Sequence, residues 1–358
     1  MTTLTDSSGS FTSPGYPETY GSKEKVKWKI KAGGPIKITC SFFDLEEESS
    51  KGKCKDFLQI KDVDKLRFCG KSGPQNYITS KSVVKIMFKS NTRNNFGGFT
   101  CSYSVIDNEL IESALDAHNS NTCGSAPSNT CSCSGLSTSD SYQGQIISDD
   151  YRIIVSNGIP DHKYETGQER PNPNSACKHE VYMSVPVDPE KGDTYTEYRM
   201  GPVGIAFSGA FFYNHLSTPN GDVAEVQESK SFDTCNGHSD PKCRYHYHKI
   251  PVCMNDGANC THVGYMMDGF SVYSFCSHPD DSNRSLRSCY YLNNGEDGSN
   301  KKHYTYSDEK YNSGECDLDR ANGYTFSDSR GYAYVFTEDY PFIMAGYYGE
   351  EVGRICYV

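Results

Sequence analysis

No apolar run in this chain approaches the ~18 residues that a membrane-spanning helix requires, which excludes such a span. Hydrophobic residues make up only 35%, and tryptophan occurs once. Apolar area can come instead from 27 tyrosines and 17 phenylalanines, whose rings bury well. No Gly-x-Ser-x-Gly, His-Glu-x-x-His or phosphate-binding loop occurs, so the common hydrolase and nucleotide classes find no support. The start, Met1 to Ser10, lacks the basic region and apolar run of a secretory leader. Histidine is absent before His118.

Cysteine, by contrast, is abundant: sixteen residues, an even number, too many for a reduced cytosolic protein. Their spacing forms no repeated Cys-x-x-Cys zinc pattern, so disulfides are the expected state. Disulfides imply secretion, and a leader is then expected to have been removed or to lie outside this sequence. The sequons Asn259-Cys260-Thr261 and Asn283-Arg284-Ser285 make Asn259 and Asn283 glycosylation candidates.

At 358 residues the chain can hold two domains, and charge divides it. Residues 1–110 carry 17 basic and 12 acidic side chains, a net of +5; the remaining 18 and 34 give −16. The basic part can meet polyanions and the acidic part cations or mineral surfaces. The acidic balance disfavours nucleic acid as a partner of the second part.

Short alternating segments fill the first part. They are Val26–Ile30, Ile36–Cys40, Asp56–Ile60, Val83–Phe88 and Phe99–Tyr103, with turn residues between them. This pattern predicts an all-β sandwich. Gly9-x-Phe11-x-Ser13-Pro14-x-Tyr16-Pro17-x-x-Tyr20 opens a series that continues through Trp28-x-Ile30, Phe43-x-Leu45-Glu46, Cys54-x-Asp56-x-Leu58-x-Ile60, Cys69-Gly70 and Gly98-Phe99-x-x-x-Tyr103. In order and spacing it resembles the CUB domain, over residues 9–106. The resemblance implies a Cys54–Cys69 bridge. Val26 stands where the family's first cysteine pair begins, which leaves Cys40 and Cys101, on expected strands, able to bridge. It also implies a calcium site at Glu46 and Asp56, with Tyr20 near and Asn91 where an aspartate is usual. A neutral amide there should weaken the site. The alternative role of Glu46 and Asp56 is as loop-fixing acceptors.

Residues 107–135 read as a linker rich in Cys, Ser and Asn, with a short helix at Ile111–His118. The second domain, 136–358, is expected to be larger, disulfide-rich and mostly β. Gly204–Tyr213 and Gly264–Tyr273 share the form Gly-x-x-x-[Ser/Asp]-Gly-x-x-x-Tyr, which predicts two related hairpins.

Tyr245-His246-Tyr247-His248 has period two, so on a strand both imidazoles share one face. His238 follows a glycine, where a turn can bring it to them, and Cys235 and Cys253 bracket the segment. His238, His246 and His248, with His162 or Asp268 at the rim, are the metal candidates. Three imidazoles suit zinc or copper. The competing reading is a stacked Tyr/His strand whose rings are only hydrogen-bonded. The tetrapeptide, Ser156–His162, the two hairpins and Tyr332–Met344 resemble the YHYH protein family. Ala333 stands where a histidine is expected, a departure that puts activity in doubt.

The expected function is therefore a secreted, non-enzymatic extracellular matrix or binding protein, of the kind found in calcified matrices. The alternative is a zinc- or copper-dependent extracellular enzyme, acting on polysaccharide, with the first domain as targeting module.

Overall fold

In the computed structural model all residues are described except 48, 50–52, 62–64, 72, 80, 107–108, 126–132, 134–135, 148–149, 166–171 and 255–259. The sequon residue Asn259 lies outside the described residues; Asn283 is exposed on the strand Asp281–Ser285. The fold is all-β in character, as the alternation predicts. Contacts divide the chain into two units. The first comprises Met1–Leu115, Gly144–Ile153 and Ser327–Gly331, and the second holds the rest.

The first unit is a β-sandwich. One layer orders its strands Thr2–Leu4, Lys25–Lys31, Val83–Lys89, Phe57–Lys61 and Lys65–Phe68. The other includes, in order, Ser8–Thr12, Gly98–Val105, Ile36–Asp44 and Tyr77–Ile78. Alternate side chains point inward, so Trp28, Ile30, Ile86, Phe88, Leu58 and Ile60 fill the core with Phe11 and Phe99. On the strands Lys25–Lys31 and Val83–Lys89 the outward neighbours, mostly lysine, remain in water, whereas Phe57 and Gln59, beside Leu58, are buried. Cys40 and Cys101 stand opposite each other in the ladder and are bonded; Cys54 is bonded to Cys69. The sandwich begins before residue 9, because Thr2–Leu4 pairs with Trp28–Ile30. A helix, Glu109–Asn119, buries Ile111 and Ala114.

The second unit is built on an eight-stranded sheet with a palindromic order. It runs Gly237–Ser239, Tyr245–Tyr247, Phe211–Tyr213, Pro202–Ala206, then His262–Met266, Ser271–Tyr273, Tyr332–Val335 and Gly323–Thr325. The hairpins lie at the centre, Pro202–Ala206 antiparallel to His262–Met266. Each is flanked by a parallel strand, and that strand by an antiparallel one. The registers also agree: Phe212 faces Tyr247 as Val272 faces Tyr334, and His238 faces His246 as Tyr324 faces Ala333.

The two halves share their scaffold residues. Asp233 accepts hydrogen bonds from the N–H of Cys235 and Gly237 and from Tyr245 Oη; Asp319 does the same for Ala321, Gly323 and Tyr332 Oη. Asn236 and Asn322 both take the left-handed conformation, with φ of 65° and 63°, a state asparagine tolerates. Tyr247 Oη shares a hydrogen bond with Ser208, and Tyr334 Oη donates to Asp268. What differs is the opposite face of the strands. Ala333 and Val335 pack there with Leu286, Leu318 and Phe326. The first half has imidazoles instead. Among the described residues the unit also holds the bridges Cys123–Cys356, Cys133–Cys177, Cys235–Cys253, Cys260–Cys276 and Cys289–Cys316.

Candidate metal centre

His246 and His248 leave the strand on the same face because side chains alternate. His238 joins them from the neighbouring antiparallel strand, directly opposite His246. Ring centroids are 4.5 Å apart for His238 and His246, 4.7 Å for His246 and His248, and 5.6 Å for His238 and His248. One ring nitrogen from each of the three lies within 4.8 Å of the others. All three residues are buried.

Hydrogen bonds fix the tautomers. His246 Nδ1–H donates to Arg244 O at 2.9 Å, and His248 Nδ1–H to Asn214 O at 2.6 Å, since carbonyls can only accept. Ser231 Oγ spends its one proton on Glu228 O at 2.7 Å and so accepts from His238 Nδ1–H at 2.8 Å. Every Nδ1 is thus the protonated nitrogen, and every Nε2 keeps its lone pair facing the cluster. Burial, then the neighbouring imidazoles, holds His246 far below the usual imidazole range, and His248 is pushed down to about 4. Both rings are neutral at physiological pH, yet their Nε2 atoms lie 2.9 Å apart. With both Nδ1 protons donated to backbone carbonyls, the two Nε2 lone pairs face each other.

A carboxylate completes the set. Glu228 follows the short helix Ala224–Gln227, and its Oε2 lies 3.3 Å from His238 Nε2 and 3.5 Å from His248 Nε2. Burial alone would raise its pKa; the adjacent His238 and His248 outweigh it and hold the carboxyl below its usual range. Three imidazole nitrogens and a carboxylate oxygen match the donors zinc accepts. The Tyr213 ring stacks on His246 at 3.8 Å, and its Oη donates to Asp240, which fixes the ring. The histidines line a pocket of about 450 Å³ with Glu228, Asn172, Asn174 and Tyr213.

The two expected rim residues stand elsewhere. His162 is half-buried on the tyrosine face of the strand, where Nε2 hydrogen-bonds Tyr247 Oη. It also lies near Cys235 and Cys253, but those sulfurs are bonded to each other. Asp268 is buried in the second half of the sheet and accepts from Tyr334 Oη at 2.5 Å and Gly349 N at 3.2 Å. It is the structural counterpart of Ser208. Glu228 and Ser231 went unrecognised in the sequence, where neither sits at a ligand spacing from the histidines.

The calcium candidates do come together. Tyr20 Oη donates to Asp56 Oδ2 at 2.8 Å, and Asn91 N to Asp56 Oδ1 at 2.6 Å. Asn91 Nδ2 donates to Glu46, while its Oδ1 accepts from Arg93 N at 2.6 Å. Asn91 therefore turns its donors, not its oxygen, to the two carboxylates. Lys55 Nζ meets Glu46 Oε1 at 3.0 Å, so a side-chain cation already stands at the carboxylate. Desolvation, above all, raises the Asp56 carboxyl.

The family model for the CUB domain matches residues 1–103, and that for the YHYH protein matches residues 182–349. Neuropilin-2 of Rattus norvegicus is 34% identical over 104 residues, which are 27% of this chain and 11% of the relative. Cubilin of Canis lupus familiaris is 34% identical over 109 residues, 28% of this chain and 3% of the relative. The chain therefore spans about a tenth or less of the length of these curated relatives. Among solved structures, the MASP-1 CUB2 domain bound to Ca2+ is 24% identical across 29% of this chain and 97% of that one, with a TM-score of 0.28. The extracellular region of zebrafish Gpr126/Adgrg6 is 34% identical across 28% of this chain and 14% of that one, with a TM-score of 0.26.

Proposed function

We propose that this chain, whose residues 1–103 match the CUB domain and 182–349 the YHYH protein, is a secreted protein that binds extracellular macromolecules through the first and holds a zinc or copper ion in the second. The observation that carries the metal reading is the convergence of three Nε2 lone pairs whose Nδ1 protons are all engaged elsewhere. The second half of the sheet supports it. The same scaffold there stands on Tyr324, Ala333 and Val335, so the strands do not need histidine to fold. The bridged cysteines support an oxidising, extracellular setting. Ala333 does not argue against a working site, because it is the counterpart of His246 in the other half.

The net of −16 beyond residue 110 extends the reading to a calcified matrix, where dense carboxylates attract calcium. Calcium at Glu46 and Asp56 would have to displace Lys55 and reorient Asn91.

A second reading, a metal-dependent enzyme, is favoured by one observation: the histidines open onto a pocket of about 450 Å³. Zinc with an open position supplies an activated water. Glu228 would then hold or move that water's proton, and the pocket walls would orient the substrate.

The test is elemental analysis of protein secreted by an oxidising expression host and then equilibrated with zinc or copper. One ion per chain is expected, lost in His246→Ala and in His248→Ala. A wild-type protein that takes up neither ion removes the metal reading.

A further inference from the structure

One face of the sandwich carries an unusual charge pattern. In the layer built on Lys25–Lys31, the core takes Trp28, Ile30, Ile86, Phe88, Leu58 and Ile60. The alternate positions face outward. On the strand Lys25–Lys31 these are all lysine: residues 25, 27, 29 and 31. Across the ladder Lys25 stands opposite Lys89, and Lys29 opposite Lys85, which stands opposite Lys61 on its other side. Arg67 continues the same face on the edge strand, opposite Gln59. Like charges placed directly opposite in a sheet are destabilising. Adjacent strands are only about 4.8 Å apart. Among the described residues no carboxylate forms an ion pair with these cations.

We infer that this face is a binding surface for a linear sulfated polysaccharide. The strands set the Cα atoms of these lysines about 4.8 Å apart across the sheet and about 7 Å along it, and the long stems let the ammonium groups follow a flexible sulfated chain. Ammonium groups on long stems serve as adjustable point charges, which suits sulfates of varied spacing. An acidic protein fits less well. Protein interfaces centre on desolvated aromatic or apolar anchors and are depleted in lysine; the outward apolar positions here are Val83, Met87 and Phe57, and the Phe57 ring is buried beneath the Arg67 guanidinium. A nucleic acid fits less well too, since a flat sheet face enters no groove and presents no exposed aromatic ring for a base to stack on.

The experiment uses the full chain, with heparin as the probe, across a salt series. Lys29→Gln/Lys61→Gln/Lys85→Gln should weaken binding at least tenfold. It should also lower the slope of log affinity on log salt by roughly two to three, as expected for three lost ionic contacts. A control, Lys53→Gln/Lys71→Gln/Arg93→Gln, removes the same charge from loops outside this sheet and should leave affinity within twofold. The lattice variant should also melt no lower than the wild type, because it relieves repulsion. Equal weakening by the two triple variants overturns the inference, as does a lower melting temperature in the lattice variant. Duplex DNA or polyglutamate of matched charge binding as tightly as heparin likewise overturns it.

Discussion

The Nε2 atoms of His246 and His248 face each other at 2.9 Å, each with its own Nδ1 proton already donated to a backbone carbonyl. A hydrogen bond at that distance needs a proton that neither neutral ring has. A cation placed against both lone pairs turns the contact from repulsive to attractive.

Glu228 then has a defined part. Its carboxylate stands within 3.5 Å of two of the three Nε2 atoms, as a fourth ligand or as the acceptor that orients one. Glu228→Gln should retain zinc but weaken it about 10–100-fold. Competition with a chelator of known affinity measures this, and an unchanged constant would take Glu228 out of the site.

Asp268 allows a test by pH. Burial raises its carboxyl to about 6, against hydrogen bonds from Tyr334 and Gly349 that favour the charged form. Its folded pKa exceeds the unfolded value of 3.8, so the protonated group contributes stability that is fully present below 3.8 and lost as pH rises through 6. About two units correspond to at most ~3 kcal/mol. Asp268→Asn, which cannot ionise, should therefore gain stability over the wild type between pH 4 and 7. Denaturant melts across that range check it, and a difference that does not grow with pH would contradict it.

At Asn91 the expectation concerns calcium. Asn91→Asp would set a third carboxylate beside Glu46 and Asp56, removing the hydrogen bond from Asn91 Nδ2 to Glu46. Without calcium the variant should melt lower, since like charges are brought together. With calcium its affinity should exceed the wild type's, because a hard cation prefers added carboxylate. Calcium titration by calorimetry distinguishes this from an unaltered affinity, which would exclude Asn91 from any such site.

Much of this was legible from period alone. Trp28 and Ile30 alternate with lysines because a half-buried strand writes its two faces into the sequence, and the same rule put His246 and His248 on one side. His238 was legible as a member of the cluster only through its closeness in sequence. Glu228 was not legible, because a short helix brings it to the cluster through tertiary packing. The sequence alone points to His162 and Asp268 as rim residues of the histidine cluster. Both instead serve the tyrosine face, His162 on Tyr247 and Asp268 on Tyr334. The echo between the hairpins was visible, but its extent was not. Asp233 and Asp319 lie 86 residues apart, and only the sheet shows that they do the same work. That pairing also explains Ala333, which faces an apolar cluster in the half without imidazoles.

The two halves give the most direct measurement. His238→Tyr/His246→Ala/His248→Val gives the first half the residues of the second. Zinc content per folded chain should be one in the wild type and zero in this variant, with the variant's chelator-treated melting temperature no lower than that of the chelator-treated wild type. A variant that keeps its zinc, or one that fails to fold while the metal-free wild type remains stable, would contradict the account.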